Sequence, residues 1–223
     1  MGTSPTDKTL LVVVEDYDRL PVDATAFRGP VPPVPGLEPT DRFAGYFERK
    51  LFTHNLGHAV AAYRGHTAGL AYIHEAMADA GIAAQVRGAM EEAGAGLVAR
   101  WGFSLQEQAA HAEGLMGRFA NAALRDTVTR VGRDPLRKLR SDDRLVGGAL
   151  LALEHDVEPR NIAAGIAAAL RFHVPGDPSA SELQRRLGEG GAVGVLRDVC
   201  GLEPEHPLAR LVLAEYQATG PGD

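Results

Sequence analysis

The sequence predicts a mainly helical domain preceded by a short strand and a proline-rich connector, and three observations predict it. From Asp41 to about Arg64 no proline occurs, and the apolar Phe43, Phe47 and Leu51 recur at four-residue spacing, which is helical. Helix-start signals then recur down the chain, among them Ser104 with Glu107 three residues later and the pair Asp177-Pro178. Residues 9–14, TLLVVV, are the one stretch that reads as a strand, being rich in β-branched side chains.

Each element has a local cause. The segment Pro21 to Pro39 holds Pro21, Pro30, Pro32, Pro33, Pro35 and Pro39. Each proline removes an amide donor and clashes with the preceding turn, so the segment reads as an extended connector. Residues 1–40 are therefore taken as strand and connector, and residues 41–223 as the helical domain. Thr40 is a suitable N-cap, and Asp41 puts a negative charge where the helix dipole favours it. After that first helix, further ones are expected near 67–79, 81–100, 105–119, 121–131, 143–155, 159–172, 178–188, 191–199 and 206–218. The glycine-rich GEGGAVG at 188–194 reads as the end of one helix and the start of the next. No strand precedes it, as a nucleotide loop requires. No GxGxxG follows a strand near the start, and no acidic residue stands about 20 residues beyond one.

The bulk numbers narrow the function class. The chain has 223 residues, 45% of them hydrophobic, enough to bury a core. A net charge of −6 argues against nucleic acid and anionic membrane as partners. No run approaches the ~20 apolar residues of a membrane helix, and the N-terminus lacks the pattern of a signal peptide. A single cysteine, Cys200, cannot form an internal disulfide. A cytoplasmic, reducing setting fits.

The first long helix carries unusual chemistry. At about 100° per residue, His54, His58 and Asn55 lie about 40°, 80° and 140° from Lys50. One arc thus presents an amine, two imidazoles and a carboxamide. A partly buried lysine loses solvation of its charged form and can take a proton near neutral pH. An amide and an imidazole beside it can hydrogen-bond an oxygen passing between alcohol and carbonyl. The bland alternative is a solvated lysine. His54 and His58 have neither an HExxH setting nor an obvious third ligand, so no metal is expected.

These residues also carry a resemblance. ERKLFTHNLGHAVAAYRG (48–65) resembles the signature helix of the polyol-specific long-chain dehydrogenases, whose K-x4-N-x2-H pattern is met by Lys50, Asn55 and His58. GRFANAALRDTVTRVGRDPLRKLRSDDRL (117–145), FRGPVPPVPGLEPTDRF (27–43) and AMEEAGAGLVARWGF (89–103) resemble stretches that mark the mannitol-1-phosphate 5-dehydrogenases of that family. The resemblance implies a helical C-terminal domain similar to that of 6-phosphogluconate dehydrogenase. It implies that Lys50 is the general base, and that Asn55 and His58 position the reacting hydroxyl and polarise the carbonyl. Arg118 and Asn121 match the substrate-facing RFxN motif, although Ala122 stands where the family usually has proline. His54 stands where a less polar residue is expected and, if protonated, would lower the Lys50 pKa further.

Residues 118–144 hold eight cations against Asp126, Asp134, Asp142 and Asp143, a local charge of 8 − 4 = +4. Guanidinium groups bind phosphate bidentately, so Arg133, Arg137 and Lys138 are the expected phosphate contacts. A solvated surface with internal ion pairs is the alternative.

The resemblance implies the substrate-binding and catalytic half of an NAD-dependent enzyme interconverting mannitol 1-phosphate and fructose 6-phosphate. The NAD would be bound by a nucleotide-binding (Rossmann) domain outside this chain, and the isolated chain is expected to be inactive. A separate Rossmann-domain chain or self-association would supply the partner. The alternative is a non-catalytic remnant that binds sugar phosphates or serves as an interaction domain.

Overall fold

The proline-rich stretch forms two strands, where the sequence predicts only an extended connector. In the computed structural model, which describes residues 19–220, β1 (Leu20–Asp23) pairs in parallel with β2 (Leu37–Thr40), Leu20 opposite Leu37 and Asp23 opposite Thr40. Pro21 and Pro39 lie within these strands. A sheet of two strands has only edge strands, where a missing amide donor is tolerated. Residues 24–36 give the long crossover that a parallel pair needs. Within it, the Asp23 carboxylate accepts from Thr25 N at 2.9 Å and caps the short turn Ala24–Ala26. Thr40 ends β2 instead of capping a helix, its hydroxyl accepting from Arg42 N at 3.0 Å. The strand expected at 9–14 lies outside the described residues. The chain forms two compact units, one ending at Phe43 and the other starting at Ala44.

The second unit is helical. The sequence predicts one regular helix from 41 to 64. The structure has α1 (Phe43–Arg49), a wide turn over Lys50–Asn55 and α2 (Leu56–Thr67), running on without a break. The wide turn closes i→i+5 hydrogen bonds, so it holds one residue more than an α-turn. That residue moves the apolar stripe. Phe43 and Phe47, at four-residue spacing, are 40% and 64% exposed, whereas Phe52, Leu56, Val60 and Tyr63 are buried.

The remaining helices are α3 (Ile73–Ala78), α4 (Ala80–Trp101), α5 (Leu105–Phe119), α6 (Val128–Gly132), α7 (Pro135–Lys138), α8 (Arg144–Glu154), α9 (Arg160–Leu170), α10 (Pro178–Asp198) and α11 (Pro207–Ala218). The expected caps form. Ser104 Oγ accepts from Glu107 N at 3.0 Å while Glu107 accepts from Ser104 N at 2.9 Å. Asp177 accepts from Ser179 N and Ala180 N ahead of Pro178. Gly191, at φ 64° and ψ −174°, splits α10 into two pieces, as the 188–194 stretch predicts. Two expectations fail. The helix expected at 67–79 starts only at Ile73. The one expected at 121–131 is broken, because Asn121 and Thr127 each cap a separate short turn and Arg125 adopts φ 51°. Local side-chain bonds to the backbone compete with the helix there.

α2 runs through the centre of this unit, with α3, α4, α6, α8 and α9 around it. Glycines let the neighbours approach: a Cβ on Gly148 would lie 2.4 Å from Leu56 Cδ1. Glu92 on α4 reaches the start of α9, accepting from Asn161 N at 2.8 Å and Ile162 N at 2.9 Å. These bonds satisfy amides that the helix leaves orphaned. Cys200 is buried, which pushes its thiol up to about 12 and leaves it an inert core residue. No helix among the described residues is long and apolar enough to cross a membrane.

Candidate active site

The wide turn presents Lys50, His54 and Asn55, and the first turn of α2 adds His58. An i→i+5 turn is wider than an α-turn, so Asn55 stands at a smaller angle from Lys50 than the roughly 140° of a regular helix. The turn is fastened from below. Thr53 is fully buried, and its hydroxyl accepts from Gln108 Nε2 of α5 at 2.9 Å.

Phe119, the last residue of α5, forms the floor. Its ring lies 4.8 Å from that of His58 at an interplanar angle of 7°, and 5.6 Å from that of His54 at 44°. The two imidazoles are 6.0 Å apart. Phe119 belongs to the RFAN stretch, so it brings that stretch to the lysine turn. Arg118 is half-buried beside it. Asn121 is exposed, its carboxamide oxygen accepting from Ala123 N at 3.0 Å. The turn over Ala122–Leu124 therefore closes with alanine as its first residue.

The charges run differently from expectation. Lys50 is exposed, not partly buried. Its side chain lies on the outer side of the turn whose inner residues, Phe52 and Thr53, enter the core. Burial pulls His58 down to about 4, against the opposing pull of Asp126. Burial also lowers His54, with the Lys50 and Arg144 cations adding to it. His54 is thus held toward its neutral form at neutral pH.

Sequence reasoning missed Asp126. Its Oδ2 lies 3.3 Å from His58 Nε2, and its other oxygen pairs with Arg130. It stands eight positions after Arg118, within the stretch already singled out, and its i, i+4 spacing to Arg130 was the available signal. Phe119, Thr53 and Gln108 were also missed, since pairings across helices leave no trace in local spacing.

The basic segment is partly consumed. Arg130 pairs with Asp126, Arg137 with Asp134 and Asp143 at 2.8 and 3.4 Å, Arg140 with Asp142 at 2.9 Å, and Arg144 with Asp143 at 2.7 Å. Lys138 is 4% exposed, its ammonium donating to the carbonyls of Val131, at 2.8 Å, and Arg133. Burial first, then Arg144 and Arg137, lower it to about 8. It cannot meet a phosphate in this position and instead ties down the turn that carries Arg133. Arg133 is exposed and makes no ion pair among the described residues, and Arg137 is also exposed. The segment still borders the site, since Arg130 and Lys138 act on His58, and Arg144 on His54. Among the described residues no group of three or more His, Cys, Asp or Glu is arranged to hold a metal ion.

Comparison with known proteins gives the family. The pattern of the mannitol dehydrogenase C-terminal domain matches residues 43–188, a span that holds every candidate residue. A mannitol-1-phosphate 5-dehydrogenase of Bacillus licheniformis is 46% identical over 212 residues, 95% of this chain and 56% of that protein. The chain thus spans about half the length of that relative. The fold is similar to that of Pseudomonas fluorescens mannitol 2-dehydrogenase, solved as a ternary complex with NAD and D-mannitol, with a TM-score of 0.69 and 21% identity over 82% of this chain and 40% of that one. A D-sorbitol dehydrogenase in substrate-free form gives 0.66 and 16% over the same shares, 82% and 40%. At these identities the two structures speak to the fold alone.

Proposed function

This chain belongs to the mannitol dehydrogenase C-terminal domain family, and from that premise we propose that it is the substrate-binding and catalytic half of an NAD-dependent mannitol-1-phosphate 5-dehydrogenase. The observation that carries the reading is the 46% identity to a mannitol-1-phosphate 5-dehydrogenase over 95% of the chain. The reaction is the interconversion of mannitol 1-phosphate and fructose 6-phosphate, with NAD as the hydride carrier. Among the described residues the sheet has two strands, β1 and β2. It offers no crevice between strand ends of the kind that holds a dinucleotide, so these residues do not fit the cofactor. A nucleotide-binding domain has to supply it.

The chain's own residues supply the rest. Lys50 takes the proton of the reacting hydroxyl. Asn55 holds that oxygen as it changes between alcohol and carbonyl, where fixed hydrogen bonds act most strongly, and His58 positions the substrate beside it. Arg118 and Asn121 orient the polyol. Arg133 and Arg137 meet the phosphate, with Lys138 fixing the loop beneath them.

The exposure of Lys50 favours a second reading, a domain that binds sugar phosphates without turnover. Both readings require recognition of the phosphate. Calorimetry with fructose 6-phosphate and with fructose tests that requirement. Binding of the phosphorylated sugar only, weakened by Arg133→Ala, supports it. Equal affinity for the two sugars, or no binding of either, counts against it.

A further inference from the structure

His58 touches more than its own helix. Phe119 covers one face of the ring, and the edge bearing Nε2 lies 3.3 Å from Asp126 Oδ2, an ion-pair contact just beyond the roughly 2.7–3.2 Å of an ordinary N–H···O hydrogen bond. Asp126 is itself held on three sides. Its carbonyl accepts from Ile73 N at 2.9 Å, tying it to the start of α3. Its carboxylate pairs with Arg130 of α6. The next residue, Thr127, caps α6 by accepting from Arg130 N at 3.2 Å. A carboxylate fixed by its own backbone and by a guanidinium is well placed to fix a ring.

We propose that Asp126 is a positioning residue, which holds the His58 imidazole as its Nε2–H tautomer and leaves Nδ1 as the nitrogen that meets the substrate. The ionised carboxylate is acceptor-only, so the nitrogen facing it must carry the ring proton. A neutral imidazole has one N–H, so Nδ1 then carries a lone pair. His58 would accept a hydrogen bond from a substrate hydroxyl, leaving Asn55 as the donor to the carbonyl oxygen. This division of labour rests on the proposed function. The tautomer does not.

Nitrogen-15 spectra of the imidazoles in the 223-residue chain at neutral pH decide the first part. The expected result is a slowly exchanging Nε2–H on His58 and an unprotonated Nδ1, with that proton exchanging rapidly in Asp126→Ala. A wild-type Nδ1–H, or an Nε2–H unaffected by Asp126→Ala, overturns the proposal. Should Asp126→Ala fail to fold, the wild-type assignment decides alone.

Calorimetry with fructose 6-phosphate decides the second part. Asp126→Ala is expected to weaken binding about tenfold, the loss of one well-oriented hydrogen bond from His58 to the substrate. In a His58→Ala background the same change is expected to do nothing more. Additive losses overturn the idea that Asp126 acts through His58. A wild-type chain that binds no sugar phosphate removes the functional reading, and the spectra still decide the role of Asp126.

Discussion

The Phe119 ring lies parallel to the His58 imidazole, with 4.8 Å between centroids. This stack joins the end of α5 to the start of α2, so the RFAN stretch and the lysine turn lie side by side. Phe119 is 5% exposed, and replacing it tests both stability and placement. Phe119→Leu keeps the apolar volume and loses the stack, an expected cost of about 1 kcal/mol. Phe119→Ala adds a cavity, and about 3–5 kcal/mol is expected. Urea unfolding of the two variants checks the order.

Acid should destabilise the fold over a defined window. Burial holds His58 and His111 at about 4 and also lowers His54. An unfolded histidine titrates near 6.5, so between those values the unfolded state binds more protons. The stability these groups confer is complete above about pH 6.5 and is lost as pH falls toward 4. Each fully coupled histidine contributes a slope of up to about 1.4 kcal/mol per pH unit. Denaturation midpoints measured from pH 7 to 4.5 should fall, and His58→Asn should flatten the fall by about one proton.

The contact of Gly148 with Leu56 should behave as a single packing unit. A Cβ at Gly148 would meet Leu56 Cδ1 at 2.4 Å. Gly148→Ala is expected to cost about 1–3 kcal/mol through overpacking. Leu56→Ala is expected to cost about 2–5 kcal/mol through the cavity it leaves. The double variant should lose less than the sum, because the smaller residue at 56 makes room for the added methyl. Additive losses in denaturant unfolding would show that the two sites relax separately.

Lys138 and Arg133 should separate stability from binding. Lys138→Met leaves two carbonyls without their buried donor, so a loss of roughly 1–3 kcal/mol in unfolding free energy is expected. Arg133→Ala removes an exposed guanidinium, so stability should change by no more than about 0.5 kcal/mol while affinity for fructose 6-phosphate falls. Parallel melting curves and calorimetry check the split.

Much of this arrangement was legible in the sequence. Caps such as Ser104 with Glu107 and Asp177 before Pro178 act within a few residues, and they mark helix starts where the structure has them. The lysine helix was legible as a helix, but its wide turn was not. The one clue was the five-residue step from Phe47 to Phe52 between two stretches of four-residue spacing. The β1–β2 pair was hidden because proline weighs against strands, and that weight lapses when every strand is an edge. Lys138 read as a surface cation because charge counting carries no information on depth. Asp126 stood in plain view, but its meeting with His58 is made by the fold, across 68 residues of chain.

We propose Lys50, Asn55 and His58 as the proton-handling side of a polyol phosphate oxidation. The direct test mixes this chain with a separately produced nucleotide-binding domain from the Bacillus licheniformis relative and follows NADH formation from mannitol 1-phosphate. No NADH is expected from either part alone, NADH is expected from the mixture, and it is lost in Lys50→Ala. NADH formation that survives Lys50→Ala would contradict this proposal, as would a mixture that forms a complex, binds both ligands and makes no NADH.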